Sequence, residues 1–154
     1  MRKKLNLYVL LVSLFTTLAW LNTAERSFGY LSYTTMNIGD DIQALAALQY
    51  LPKNSIPINR EFIGIFNHPN KVHTIVNGWF MHTKQFCWYR PDVAAPEKSW
   101  PPSPQIDPLL ISIHINEGFI KEAFTEEAIQ YLKEHGPVGA RDYYTLRLLQ
   151  EKGI

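Results

Sequence analysis

Two short polar turns hold the residues of this chain that are best suited to chemistry. Asn37-Ile38-Gly39-Asp40-Asp41 follows a β-rich run and opens an amphipathic helix, and Arg141-Asp142 follows a short strand and opens the last helix. Carboxylates at a helix start can simply cap free backbone N–H groups. However, ligands of open α/β sheets bind at the carboxyl ends of strands, where both turns are predicted to lie. Both turns are therefore candidate sites, with helix capping as the alternative interpretation.

A histidine near the end of an apolar strand is the third candidate. The segment from Leu109 to Ile115 is apolar at nearly every position, which predicts a parallel strand covered on both faces. Ser112 and His114 are the exceptions and share one side of the strand. His114 lies near the carboxyl end, where it could transfer a proton or could instead be an ordinary core histidine.

Two further segments could contact a ligand. Asn77-Gly78 follows a β-prone run, and Gly78 would let a backbone or a ligand approach closely. The stretch from Tyr89 to Pro108 holds six of the ten prolines, which predicts a long surface loop. Within it, Trp100 could be part of a binding loop or a hydrophobic pin that fastens the loop to the body.

These segments alternate along the chain between β-prone and helical patterns. Short β-prone runs at Glu61–Phe66 and Val72–Val76 follow the first strand–helix unit. Thr125 then caps a helix that ends near Glu134, and a last helix covers Tyr143–Lys152 with Gly153 as its C′ residue. The pattern predicts a Rossmann-like α/β domain over residues 25–154, with a mostly parallel sheet and helices on both faces.

Several of these motifs, in this order, resemble the N-terminal half of the polysaccharide pyruvyl transferase family. The matching segments are NIGDDIQALAALQYLP (37–52), Asn59-Arg60-Glu61, Asn77-Gly78-Trp79-Phe80-Met81-His82, Trp100-Pro101-Pro102-Ser103, LISIHI (110–115) and PVGARDYY (137–144). The chain departs from the family pattern at Asn59, where an acid is expected, and at Ala140, where cysteine is common.

This resemblance implies one half of a two-domain, GT-B-like architecture, in which a second Rossmann-type domain faces the first across a cleft. It implies transfer of pyruvate from phosphoenolpyruvate, the donor substrate, to a glycan or glycan precursor, with no other cofactor. Such a transfer needs an acid, a base and cations for the phosphate. The candidate catalytic residues are Asp40, Asp41, His114 and Arg141. The candidate substrate-binding residues are Asn37, Gly39, Asn77, Gly78, Trp79, Trp100 and Asp142.

The chain lacks an evident phosphate clamp, having neither a glycine-rich loop nor paired cations. The family's second half would supply most of the phosphate-binding cations, so we expect a truncated domain that needs a second half-domain or a homo-oligomer. The rival hypothesis is a non-catalytic remnant that binds a glycan or a protein partner through its aromatic residues.

The amino terminus predicts export or membrane anchoring. Arg2, Lys3 and Lys4 precede twenty uncharged residues, Leu5 to Ala24. Residues 1–24 are therefore expected to be a cleaved signal peptide or an uncleaved hydrophobic helix with its basic flank in the cytoplasm, which puts the domain on the non-cytoplasmic side. A buried core helix is the weaker alternative, because the segment has almost no polar face.

Charge and cysteine content exclude other classes of function. Without the three leading basic residues, the chain has 12 basic and 14 acidic side chains. The basic residues are scattered along the sequence, whereas nucleic-acid binding requires them to be clustered. Cys87 is the single cysteine, so no intramolecular disulfide can form, and its aromatic neighbours favour a buried structural thiol. The histidines at 68, 73 and 82 are too loosely spaced for a metal site.

Overall fold

The structure, a computed structural model, describes residues 26–33, 37–81 and 99–154. The strands are β1 (Ser27–Ser32), β2 (Ile56–Asn59), β3 (Val72–Gly78) and β4 (Ile106–Ile113). The α-helices are α1 (Ile38–Leu48), α2 (Ile120–Ala123), α3 (Glu126–Glu134) and α4 (Tyr143–Glu151), and two 3-10 helices cover Arg60–Ile65 and Glu117–Phe119. The predicted leader, Cys87 and His82 lie outside the described residues.

The four strands form one parallel sheet in the order β2-β1-β3-β4. Gly29 of β1 pairs with Ile56 on one side and with Thr74 on the other, and Thr74 in turn pairs with Pro108 of β4. A parallel bridge from Ala140 to Ile113 extends the pairing beyond β4. The prediction of an α/β fold with a parallel sheet is therefore confirmed, and all carboxyl ends of the strands lie at one edge.

The strand order contains a topological switch point. The chain moves from β1 to β2 on one side, and then returns past β1 to place β3 and β4 on the other side. The crevice outside the carboxyl ends of β1 and β3 is the usual ligand position in such a sheet.

One face of the sheet carries the hydrophobic core. Alternate residues of the strands, including Leu31, Val72, Val76 and Leu110, are buried there. Residues of the first 3-10 helix and of the three C-terminal helices join the same cluster: Ile63, Ala123, Ala128, Leu132 and Leu149.

The opposite face is only partly covered by the described residues. Helix α1 packs against β1 and β3 with Ala44 and Ala47 buried, and the side-chain amide of Asn77 donates to the Gln43 carbonyl at 3.3 Å. Leu109 and Ile111 of β4 are 56% and 47% exposed. Within the described part of the chain, the expectation that both faces of β4 are covered is wrong.

Two predicted segments differ from the structure. Glu61–Phe66 is not a strand, because the strand lies upstream at Ile56–Asn59 and Asn59 ends it by accepting a hydrogen bond from the Glu61 N–H at 3.0 Å. The proline-rich stretch is not all surface loop, since Trp100 to Ser103 are buried and Pro108 belongs to β4. Pro108 fits there because no described residue pairs with the side of β4 away from β3 at that position.

Helices α3 and α4 follow the predicted signals. Thr125 caps α3 by accepting a hydrogen bond from the Ala128 N–H at 3.2 Å, and Gly153 follows α4 with a φ of 69°. None of the helices in the described ranges is long and apolar enough to cross a membrane.

Substitutions of two adjacent leucines of β4 test whether one face of the sheet is buried and the other exposed. Leu110→Ala removes a side chain that is 2% exposed and should lower the free energy of unfolding by about 2–5 kcal/mol. Leu109→Ala, the matched control on the open face, should cost less than about 1 kcal/mol, because its side chain is already largely in water. Urea denaturation measures both values, and equal losses would contradict the one-sided core.

Candidate functional site at the carboxyl edge

A buried ion pair joins α1 to the end of β2. The Arg60 Nη1 and Nη2 atoms donate to the two carboxylate oxygens of Asp40 at 2.6 and 2.8 Å, in the two-bond geometry typical of the strongest such pairs. The Nε atom of the same guanidinium donates to Glu61 Oε1 at 3.1 Å. Burial by itself would lower the pKa of Arg60, but the hydrogen bonds and charges of Asp40 and Glu61 outweigh it and raise that pKa.

The two adjacent carboxylates of the first turn therefore have different surroundings. Asp40 is 4% exposed and bound to Arg60, whereas Asp41 is exposed and accepts a hydrogen bond from the Tyr33 hydroxyl. The hydrogen bond to Asp41 is the largest cause that raises the pKa of Tyr33 to about 12. Asp41 is thus the carboxylate of this turn that a ligand in solvent can reach.

Asn37, not an aspartate, caps α1. Its side-chain oxygen accepts a hydrogen bond from the Gly39 N–H at 3.0 Å, and its backbone is extended as an N-cap requires. The cap position is therefore filled, and the first-turn aspartates need not serve as caps.

The crevice at the switch point is small and largely filled by protein. Its lining consists of Leu31, Tyr33, Asp40, Gln43, Ala44, Arg60 and Asn77. Gly78 has a φ of 88°, and a Cβ atom there would lie 2.1 Å from Gln43 Oε1. The positive φ favours glycine at this position, and the Gln43 side chain, which donates to the Gly39 carbonyl at 3.1 Å, packs against it.

A second polar cluster follows β4. The His114 Nδ1 atom lies 2.8 Å from Asp142 Oδ2, and the other oxygen of Asp142 accepts the Thr145 N–H at 2.8 Å as the cap of α4. The Thr145 hydroxyl bonds to Asp142 at 3.2 Å and accepts the N–H of Ile115 at 3.1 Å. One aspartate therefore caps a helix and orients a histidine.

The charge of Asp142 determines which histidine nitrogen is available. The backbone hydrogen bond from Thr145, and then the one from His114, lower the pKa of Asp142 to about 2. An ionised carboxylate only accepts hydrogen bonds, so His114 Nδ1 carries the proton. In the neutral ring, Nε2 is then the nitrogen that can accept a proton.

The two clusters share an edge but not a cavity. The first cluster follows β1 and β2 and the second follows β4, so two to three strand spacings, about 10–14 Å, separate them. Neither His114, Arg141 nor Asp142 lines the switch-point crevice. The Arg141 N–H donates to the Ile113 carbonyl at 2.8 Å, and the residue is exposed at the same edge.

The two predicted tryptophans lie in different places. Trp79 is half-buried directly after β3, with its ring 5.3 Å from that of Phe119. Trp100 is 2% exposed, donates its indole N–H to the Ala123 carbonyl at 3.2 Å, and has the rings of Phe80 and Tyr131 at 5.5 and 5.7 Å. Trp100 is the hydrophobic pin of the two alternatives, and a buried ring offers no face to a sugar.

Four site residues were absent from the sequence-based set: Tyr33, Arg60, Glu61 and Thr145. Arg60 pairs with a residue twenty positions away, and no local pattern signals such a contact. Thr145 could have been found, since it lies three residues after Asp142, the spacing of a capping hydrogen bond. Within the described residues no group of three or more His, Cys, Asp or Glu side chains could hold a metal ion.

No protein-family model, curated protein or solved structure matches this chain.

Asp142 should give the protein a characteristic acid sensitivity. Its pKa is lowered from 3.8 to about 2, so its stabilising contribution is complete above pH 4 and is lost as the pH falls toward 2. Urea denaturation of Asp142→Asn across this range should show a weaker pH dependence than the wild type. His114→Gln should retain most of the dependence, because the Thr145 N–H is the larger cause; equal slopes for wild type and Asp142→Asn would contradict the assignment.

Proposed function

We propose that this chain is the N-terminal half of a polysaccharide pyruvyl transferase-like enzyme that transfers pyruvate from phosphoenolpyruvate to a pair of glycan hydroxyls. The observation that carries the proposal is the pairing of His114 with an ionised Asp142 at the same sheet edge as the exposed Asp41. The ordered sequence motifs between Asn37 and Tyr144 supply the chemical identity of the substrates.

The reaction needs proton transfers at two places. The two hydroxyl oxygens form bonds to the central carbon of the enolpyruvyl group, and the methylene gains a proton to become a methyl group. The bond between the central carbon and the phosphate oxygen breaks. Of the two hydroxyl protons that are lost, one is matched by the proton that the methyl group gains. The other is taken up by a base or by the released phosphate. His114 Nε2 is suited to accept a hydroxyl proton, and Asp41 is the second group placed to move one.

The cationic and structural roles fall to the arginines and their partners. Arg141 is exposed at this edge and could hold a phosphate or carboxylate oxygen through two N–H groups. Arg60 donates hydrogen bonds to Asp40 and Glu61. We therefore assign the Arg60–Asp40 pair a positioning role, which is to fix the turn that carries Asp41. In this proposal Asp40 does not touch substrate.

The complete site would lie in a cleft between this domain and a second one. A GT-B-like partner half, or a second copy of the chain, would provide the remaining cations for the phosphate. The uncharged segment Leu5–Ala24 would export the domain or anchor it at a membrane, with the sheet on the non-cytoplasmic side.

Phosphate release tests the proposal. Purified full-length chain, alone and with a candidate second half added, should release phosphate from phosphoenolpyruvate only when an acceptor polysaccharide is present. His114→Gln should lower the rate by about 100-fold or more, the usual loss for a general base. Glu117→Gln, an exposed carboxyl on the neighbouring 3-10 helix, is the matched control and should keep the wild-type rate.

The outcomes separate the two functional classes. Glycan binding without acceptor-dependent phosphate release, with or without the second half, would identify the non-catalytic remnant. Equal rates for wild type and His114→Gln would remove the histidine from the mechanism.

A further inference from the structure

The edge of the sheet opposite the candidate site carries an open apolar groove. The groove has a volume of about 320 Å³ and lies between the end of α1 and the first halves of β3 and β4. Its lining includes Phe28, Tyr50, Leu51, His73, Ile75 and Leu109. Tyr50 is 84% exposed and Leu109 is 56% exposed, so the groove displays large apolar side chains to solvent.

Three exposed cations lie at the same edge of the sheet as this groove. Arg26, Lys53 and Lys71 precede β1, β2 and β3 respectively, and all three are exposed. Because the strands are parallel, these residues lie together at the amino edge. Asp107 is an acid that lines the groove, and its Oδ2 atom is 2.6 Å from His73 Nδ1. Glu134 and Glu151 end helices on the core side of the sheet.

The chain outside the described residues ends at this same edge. Only Glu25 and Arg26 separate the twenty uncharged residues Leu5–Ala24 from the start of β1. Any membrane that holds this segment would therefore lie next to the groove and its cations.

We propose that the amino edge of the sheet rests on the surface of an anionic lipid bilayer. Tyr50 and Leu51 enter the headgroup region, where amphipathic aromatic side chains are favoured, while Lys53 and Lys71 contact lipid phosphates. The strands, six to eight residues long in β1, β3 and β4, then hold the carboxyl edge about 20–26 Å from that surface, facing outward. This lipid contact uses the other edge of the sheet and does not depend on the proposed catalysis.

Hydrogen exchange of the full-length chain in lipid nanodiscs tests the proposal. Nanodiscs of phosphatidylcholine alone are compared with nanodiscs that contain phosphatidylglycerol. The anionic lipid should slow exchange of the amides in the turns at 51–55 and 67–71 by several-fold, and should leave the carboxyl-edge segment 114–118 unchanged. Lys53→Glu combined with Lys71→Glu should abolish the slowing, because each lost cation weakens contact with an anionic surface by about fivefold.

A charge-matched control keeps the result specific. Lys121→Glu combined with Arg147→Glu changes the net charge equally at exposed positions on α2 and α4, and should preserve the slowing. Slow exchange that is the same in both lipids and persists in the Lys53/Lys71 variant would mean that the leader or a second copy fills the groove, and would overturn the proposal. If nanodiscs with phosphatidylglycerol give no slower exchange than nanodiscs of phosphatidylcholine alone, the proposal is overturned as well. Phosphate release from the same preparations reports separately on catalysis.

Discussion

The ion pair between Asp40 and Arg60 is the constraint on which the carboxyl edge depends. It connects the first turn of α1 to the residue that follows β2, so it fixes how the helix and the edge strand meet. Buried charges are costly to remove from water, and a lone partner left behind costs about 3–5 kcal/mol. This cost is offset here because Arg60 binds two buried carboxylates, Asp40 and Glu61, at once.

The pair also determines which groups are available for chemistry. Both oxygens of Asp40 accept hydrogen bonds from Arg60, so the carboxylate of this turn that stays exposed is Asp41. The Tyr33 hydroxyl donates a hydrogen bond to Asp41. At the second cluster the arrangement differs, since Asp142 is itself the cap of α4 and uses its other oxygen for His114. The start of α1 thus supplies an accessible carboxylate, and the start of α4 orients the imidazole that follows β4, at the same edge of the sheet.

Local patterns were sufficient to predict much of the fold. The Asn37 turn, the Thr125 cap and the Gly153 stop each depend on side chains adjacent in sequence, and each has its expected geometry. Parallel strands were predicted from the alternation of strand and helix patterns, and this places both polar turns at one edge. Strand β2 was missed because it is a four-residue edge strand containing Pro57, which gives almost no periodic signal.

Long-range contacts could not be predicted in the same way. The engagement of Asp40 by Arg60, the burial of Trp100 against Tyr131, and the open face at Leu109 all depend on residues far apart in the chain. The apolar run in β4 indicated cover on both faces, whereas the strand buries only Ile106, Leu110 and Ile113. The sequence therefore indicated where the candidate groups lie, but not which of them are already occupied.

A double-mutant cycle on Asp40→Asn and Arg60→Gln, followed by urea denaturation at neutral pH, tests this central constraint most directly. Arg60→Gln should lower the free energy of unfolding by about 3–5 kcal/mol, because it removes the cation shared by two buried carboxylates. Asp40→Asn should cost less, because Arg60 keeps its hydrogen bond to Glu61. The double variant should lose less than the sum of the two, with a coupling energy above about 1 kcal/mol. Additive losses would show that the two side chains do not stabilise each other, and would contradict the dependence of the carboxyl edge on this ion pair.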